Sequence, residues 1–144
     1  MKKIIGIALV AVFVIACAFA PAEKKDDVGI RFDQITYKEA LVKAKETGKY
    51  IFIDCYTSWC GPCKKMAATS FKDANVGELF NTQFINLKME MEKDAEGPEL
   101  ARLFKVKAYP TLLIVNGEGQ VVKEILGMQS AEGLISFAQS ANVK

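Results

Sequence analysis

Histidine is missing from all 144 residues. Its absence excludes Ser-His-Asp and Cys-His nucleophilic catalysis, histidine-ligated zinc and haem, and an imidazole pH switch. Chemistry must therefore run on Cys, Asp, Glu, Lys or Tyr. Net charge is also scarce: 19 basic against 17 acidic side chains leave +2. No basic stripe interleaved with aromatics occurs, so nucleic acid is not an expected partner. Internal repeats and low-complexity tracts are lacking, as is the length for a second enzyme domain. A hydrophobic fraction of 51% with 25% charged residues fits one packed globular domain rather than a disordered chain.

What is present begins with an address. Met1-Lys2-Lys3 precedes an apolar or small run from Ile4 to Ala16, the layout of a secretory signal peptide, and the run falls short of the roughly 20 residues of a membrane span. Ala18-Phe19-Ala20 and Ala20-Pro21-Ala22 fit ordinary signal cleavage. Val14-Ile15-Ala16-Cys17 instead resembles a bacterial lipobox, in which Cys17 would become the lipidated first residue of the mature protein. Residues 1–17 are thus read as signal peptide with lipobox, 18–30 as a charged Pro- and Gly-containing linker, and 31–144 as the folded domain. Without Lys2 and Lys3 the basic and acidic side chains are equal in number, so long-range steering toward a charged partner is not indicated. Attachment through several acyl chains would tether the domain to a membrane, since one chain alone anchors weakly.

Along the domain, Thr36-Tyr37-Lys38-Glu39 has capping-box spacing and Gly48 is a natural stop, which predicts a helix over 36–47. Tyr50–Tyr56 is a continuous β-branched and aromatic run, the pattern of a strand buried on both faces, and Asp54 sits inside it. Helices are predicted over 62–71, 75–80 and 98–104, and a strand over 84–89. Strands at 111–115 and 120–125 flank Asn116-Gly117-Glu118-Gly119, a hairpin signal. A last helix is capped by Ser130 and carries Leu134, Phe137, Ala138 and Ala141 on one face. An extra strand is drawn near Val28–Phe32. This order predicts an α/β three-layer sandwich around a mixed central sheet.

The chemistry is concentrated in Trp59-Cys60-Gly61-Pro62-Cys63, where the buried strand should give way to a helix. At a helix N-terminus, free backbone N–H groups and the positive end of the dipole stabilise a thiolate, so the Cys60 pKa should fall below the usual value of about 8.5. Cys63, one turn inward, would be shielded and protonated at rest. Pro62 is tolerated because first-turn amides have no intrahelical partner. A carboxylate among Ile and Phe is expensive to desolvate, so Asp54 should titrate high. The alternative for Asp54 is a surface acid at a strand end. Cys55, Cys60 and Cys63 also show the C-x4-C-x2-C spacing of some iron–sulfur proteins. The fourth ligand is missing, and Cys55 reads better as a small buried hydrophobe.

With these residues in place the chain resembles the thioredoxin superfamily over roughly residues 30–142. Four features carry the resemblance in order: the strand containing Asp54, the Trp59–Cys63 motif, Tyr109-Pro110-Thr111 ahead of a strand, and Gly127 after the last strand. The signal and the long segment from Met91 to Glu99 bring it closer to bacterial envelope thioredoxin-like proteins, including the soluble domains of thiol:disulfide interchange proteins. The resemblance implies that Cys60 attacks a protein disulfide, that Cys63 resolves the mixed disulfide, and that Asp54 relays a proton to Cys63. It implies that Lys88 neighbours this acid, with a solvated lysine as the alternative. It implies a cis peptide before Pro110, with Trp59, Gly61, Pro62, Tyr109 and Pro110 forming the substrate surface. No cofactor or metal is expected. The expected partners are disulfide-bearing proteins and a membrane thiol electron donor, and a monomer is expected. The Gly61-Pro62 pair, which resembles that of reducing thioredoxins, and the lack of a histidine between the cysteines favour a reductase, which the signal would place in the periplasm, with an oxidase or isomerase, or a peptide- or metal-binding module, as rivals.

Overall fold

Strand β1 (Tyr50–Tyr56) lies inside the sheet, as its unbroken apolar sequence requires. The computed structural model describes residues 28–141, so the expected signal peptide, the expected lipobox with Cys17 and most of the expected linker lie outside the described residues. The elements follow in the order α1 (Tyr37–Thr47), β1, α2 (Gly61–Ala68), a 3-10 turn (Ser70–Lys72), α3 (Ala74–Gln83), β2 (Phe84–Glu90), α4 (Gly97–Leu103), β3 (Thr111–Val115), β4 (Val121–Leu126) and α5 (Ala131–Ser140). The sheet order is β2-β1-β3-β4. β1 runs parallel to β2 and antiparallel to β3, and β3 is antiparallel to β4. This is the mixed sheet and three-layer α/β arrangement expected from the element order.

Residue alternation along β1 divides the core. Ile51, Ile53 and Cys55 join Tyr37, Ala40 and Ala44 of α1 and Leu100 of α4 on one face. Phe52 packs on the other face with Met66 of α2, Val76 and Phe80 of α3, and Leu134 and Phe137 of α5. Fully burying a side chain of this size contributes about 1.5–3 kcal/mol, so both layers are firmly held. Asp54 falls by parity on the face that carries α2.

Local signals explain the boundaries. Thr36 and Glu39 form the capping box, and Gly48 closes α1 at φ 71°. Asn116 accepts at its side-chain oxygen from the amides of Glu118 and Gln120, which fixes the β3–β4 hairpin. Two differences from the sequence reading have physical causes. Residues 28–32 form no strand: Gly29 adopts φ 123°, and the segment is instead anchored by Ile30 N–H donating to Phe71 O and by Asn81 Nδ2 donating to Gly29 O. The helix expected to reach 71 ends at Ala68, where Thr69 turns back its hydroxyl onto Lys65 O and the chain tightens into the 3-10 turn. Gly77 meets this anchor so closely that a Cβ would lie 2.4 Å from Gly29 O.

Candidate active site

Three loops leave the same end of the sheet. The β1 register pairs Tyr56 with Glu90 and Cys55 with Thr111, so the loop after β1, the turn segment after β2 and the Tyr109-Pro110 loop before β3 are brought together. Cys60 is the N-cap of α2, and its Sγ accepts from the Cys63 amide at 3.2 Å. The two sulfurs form a disulfide with the Cα atoms 5.3 Å apart. Both cysteines are buried, Cys60 at 3% exposure and Cys63 at 2%. In this oxidised form, then, exposure does not separate an attacking thiol from a shielded one; the cap geometry does. Gly61, Pro62 and Trp59 around them are exposed, Trp59 at 64%.

Asp54 is 1% exposed. The parallel register sets Lys88 of β2 beside it, and Lys88 Nζ stands 3.3 Å from Asp54 Oδ2. Beyond that ion pair neither carboxylate oxygen has a hydrogen-bond donor among the described residues. Burial pushes the Asp54 pKa up to about 6, with the Lys88 charge working against the rise. The ammonium lies 4.6 Å from the centre of the Tyr56 ring and within 6 Å of Phe32 and Phe71. The solvated-lysine alternative does not describe this residue. A carboxylate that titrates near neutrality can take up or release a proton at physiological pH.

The Tyr109–Pro110 peptide is cis. The Pro110 carbonyl accepts from Gly127 N–H at 2.8 Å, which fastens the loop to the end of β4. Tyr109 meets the Trp59 ring edge to face at a centroid distance of 5.9 Å. Leu126 and Met128, on either side of Gly127, are exposed. Trp59 and the Tyr109-Pro110 loop thus meet next to the Cys60–Cys63 motif. Cys55 is not part of it: its side chain lies in the α1 and α4 core, and burial pushes its thiol pKa up.

The site also contains residues that the motif search missed. Glu90, 4% exposed, accepts from Ser58 N–H at Oε1 and from the amides of Glu92 and Lys93 at Oε2. Desolvation opposes its ionisation, but the three amides and the Lys93 charge hold its pKa below the ordinary value. Glu92 Oε2 accepts from the Trp59 indole at 3.0 Å, and Lys93 Nζ donates to Ser58 Oγ at 2.7 Å. In sequence, this region stands out only as the long segment from Met91 to Glu99. The one available signal is that Glu90 continues the Asn86, Lys88 alternation onto the face of β2 that carries Asp54's partner.

Comparison with known proteins agrees with this geometry. The family model described as "Thioredoxin-like domain" matches residues 37–142. A thioredoxin H-type from Fagopyrum esculentum is 33% identical over 107 residues, 74% of this chain and 85% of its own length. The thiol:disulfide interchange protein DsbD of Pasteurella multocida is 30% identical over 114 residues, 76% of this chain and 20% of the relative. A solution structure from Bacteroides thetaiotaomicron, provisionally described as a disulphide-isomerase, shares 43% identity at a TM-score of 0.69, covering 81% of this chain and 96% of that one. Of the plant protein disulfide-isomerases that it also matches, the chain spans only 17–25% of the length.

Proposed function

The chain belongs to the thioredoxin-like domain family, and on that premise we propose that it reduces protein disulfides in the bacterial cell envelope through the Cys60/Cys63 dithiol. The observation that carries this reading is the position of Cys60 at the N-cap of α2, bonded to Cys63 and accepting the Cys63 amide. When the pair is reduced, the same amide and the helix dipole stabilise a Cys60 thiolate.

The Cys60 thiolate attacks one sulfur of the substrate disulfide and forms a mixed disulfide; the other substrate sulfur leaves as a thiolate and takes a proton. Asp54, ionised above pH 6, accepts the Cys63 proton. The Cys63 thiolate then attacks Cys60 Sγ, releases the second substrate thiolate and closes the Cys60–Cys63 disulfide. Two electrons pass to the substrate, and an external dithiol must restore the pair. A membrane thiol relay is the donor suited to an oxidising envelope. The substrate chain docks against Trp59, Gly61 and Pro62 and along Tyr109, while the Pro110 carbonyl is already occupied by Gly127.

The envelope location rests on the N-terminal signal, and the lipid tether on Cys17; the thiol:disulfide interchange protein among the relatives supports the activity. If acyl labelling and membrane fractionation are the same for the parent and Cys17→Ala, Cys17 is not the anchor. Isomerisation is the second reading, favoured by the description of the 43% identical structure.

Trapping tests the reaction. Cys63→Ser should accumulate covalent adducts with envelope proteins, linked through Cys60 and released by a reductant, and Cys60→Ser should abolish disulfide reduction with the fold intact. Retained turnover in Cys60→Ser would overturn the assignment of the nucleophile.

A further inference from the structure

Residues 90–96 are bonded to the end of β1 and the redox loop that follows it at four places. Met91 N–H donates to Tyr56 O, Ser58 N–H to Glu90 Oε1, Lys93 Nζ to Ser58 Oγ, and Trp59 Nε1 to Glu92 Oε2. Glu90 is central to this set. One of its oxygens serves the redox loop and the other serves two consecutive amides of the turn.

A buried carboxylate is costly unless its lone pairs are used. Here three amides use them, at the junction where two loops meet. The consequence reaches the surface through Glu92, whose own amide is one of the three and whose carboxylate holds the indole of Trp59. The indole is 64% exposed, so no packing shell fixes it. Among the described residues, the Glu92 bond and the ring of Tyr109 hold the indole beside the disulfide.

We propose that Glu90 is a positioning residue of the redox site: its carboxylate fixes the Glu92–Lys93 turn, and Glu92 in turn fixes Trp59 as one wall of the surface that receives the substrate chain. The structural part stands without any assumption about the reaction; the effect on substrate rests on the disulfide-reductase reading above.

The sequence contains one tryptophan, so intrinsic fluorescence reports on Trp59 alone. In Glu90→Gln the new NH2 must face either Ser58 N–H or the turn amides, so one side of the junction opens. The time-resolved fluorescence anisotropy of Trp59 in the full reduced protein is expected to gain a fast component in Glu90→Gln and in Glu92→Ala. Glu92→Gln keeps an acceptor and should retain the parent decay. Because Glu90 acts through Glu92, adding Glu90→Gln to Glu92→Ala should change the decay no further. With insulin as a protein disulfide substrate, KM should rise about fivefold in both loosened variants with kcat little changed, because a loosened Trp59 must be ordered again when substrate binds, at a cost of about one internal hydrogen bond. An unchanged Trp59 decay in Glu90→Gln, or a full extra effect in the double variant, would overturn the inference. Glu92 is exposed, so its variants report even where Glu90→Gln folds poorly. A parent that fails to reduce insulin but shows the expected anisotropy pattern would sink the reductase reading and leave Glu90's role in place.

Discussion

Asp54 and Lys88 are partners across the parallel β1–β2 register, with Nζ 3.3 Å from Oδ2, and the two differ sharply in exposure: the acid side chain is 1% exposed and the lysine side chain 25%. Lysine can lean toward water along its aliphatic stem while its charge stays beside the carboxylate. The pair therefore keeps a buried acid titratable near neutrality without closing it off from protons.

Ionised Asp54 costs the fold stability. Its folded pKa of about 6 lies above the ordinary 3.8, so the folded state holds the proton more tightly than the unfolded chain does. This group's contribution is greatest below about pH 4 and is lost as pH rises through 6. A shift of about two units corresponds to about 3 kcal/mol, an order-of-magnitude figure. Asp54→Asn is accordingly expected to be more stable than the parent at pH 7 by about 1–3 kcal/mol in urea denaturation, with the difference shrinking toward pH 4. A difference that does not vary with pH would contradict the assignment.

Removing the cation moves the same titration upward. Lys88→Met deletes the charge that lowers the Asp54 pKa while keeping most of the aliphatic stem, so the carboxyl carbon of Asp54, followed by NMR in the oxidised protein, should titrate above 6. The acid limb of insulin reduction should shift in the same direction, because a protonated Asp54 cannot accept the Cys63 proton. A titration at or below the parent's would show that Lys88 does not set this acid.

Gly77 should not tolerate a side chain. A Cβ there would fall 2.4 Å from Gly29 O, against backbone that has little room to retreat. Gly77→Ala is expected to lose about 1–3 kcal/mol of stability, the usual cost of overpacking, with redox chemistry retained in whatever fraction stays folded. Parent-like denaturation would mean that the 28–32 segment is not anchored as described.

Much of this was legible in the residues themselves. The Thr36–Glu39 box, the unbroken β1 run, the Asn116–Gly119 turn and the Ser130 cap are local signals, and each element formed within a residue or two of its expected bounds. The Trp59–Cys63 motif was readable because strand, turn and helix signals abut there, and Asp54 because a carboxylate among Ile and Phe has no local explanation. What could not be read depends on distant backbone. The 28–32 segment has strand-like composition, but its amide and carbonyl are claimed by Phe71 and Asn81. Glu90 looks like one more surface acid until the amides of Ser58, Glu92 and Lys93 converge on it. The exposure of Cys60 was likewise out of reach, because it depends on the closed disulfide and on how α2 meets the three loops.

The reduction potential of the Cys60–Cys63 pair tests the central claim most directly. Equilibration against glutathione, with the dithiol and disulfide forms separated by alkylation, is expected to give a value close to thioredoxin's own, about −270 mV. A value well above about −200 mV would contradict the account, because such a pair accepts electrons from substrate thiols rather than donating them to disulfides.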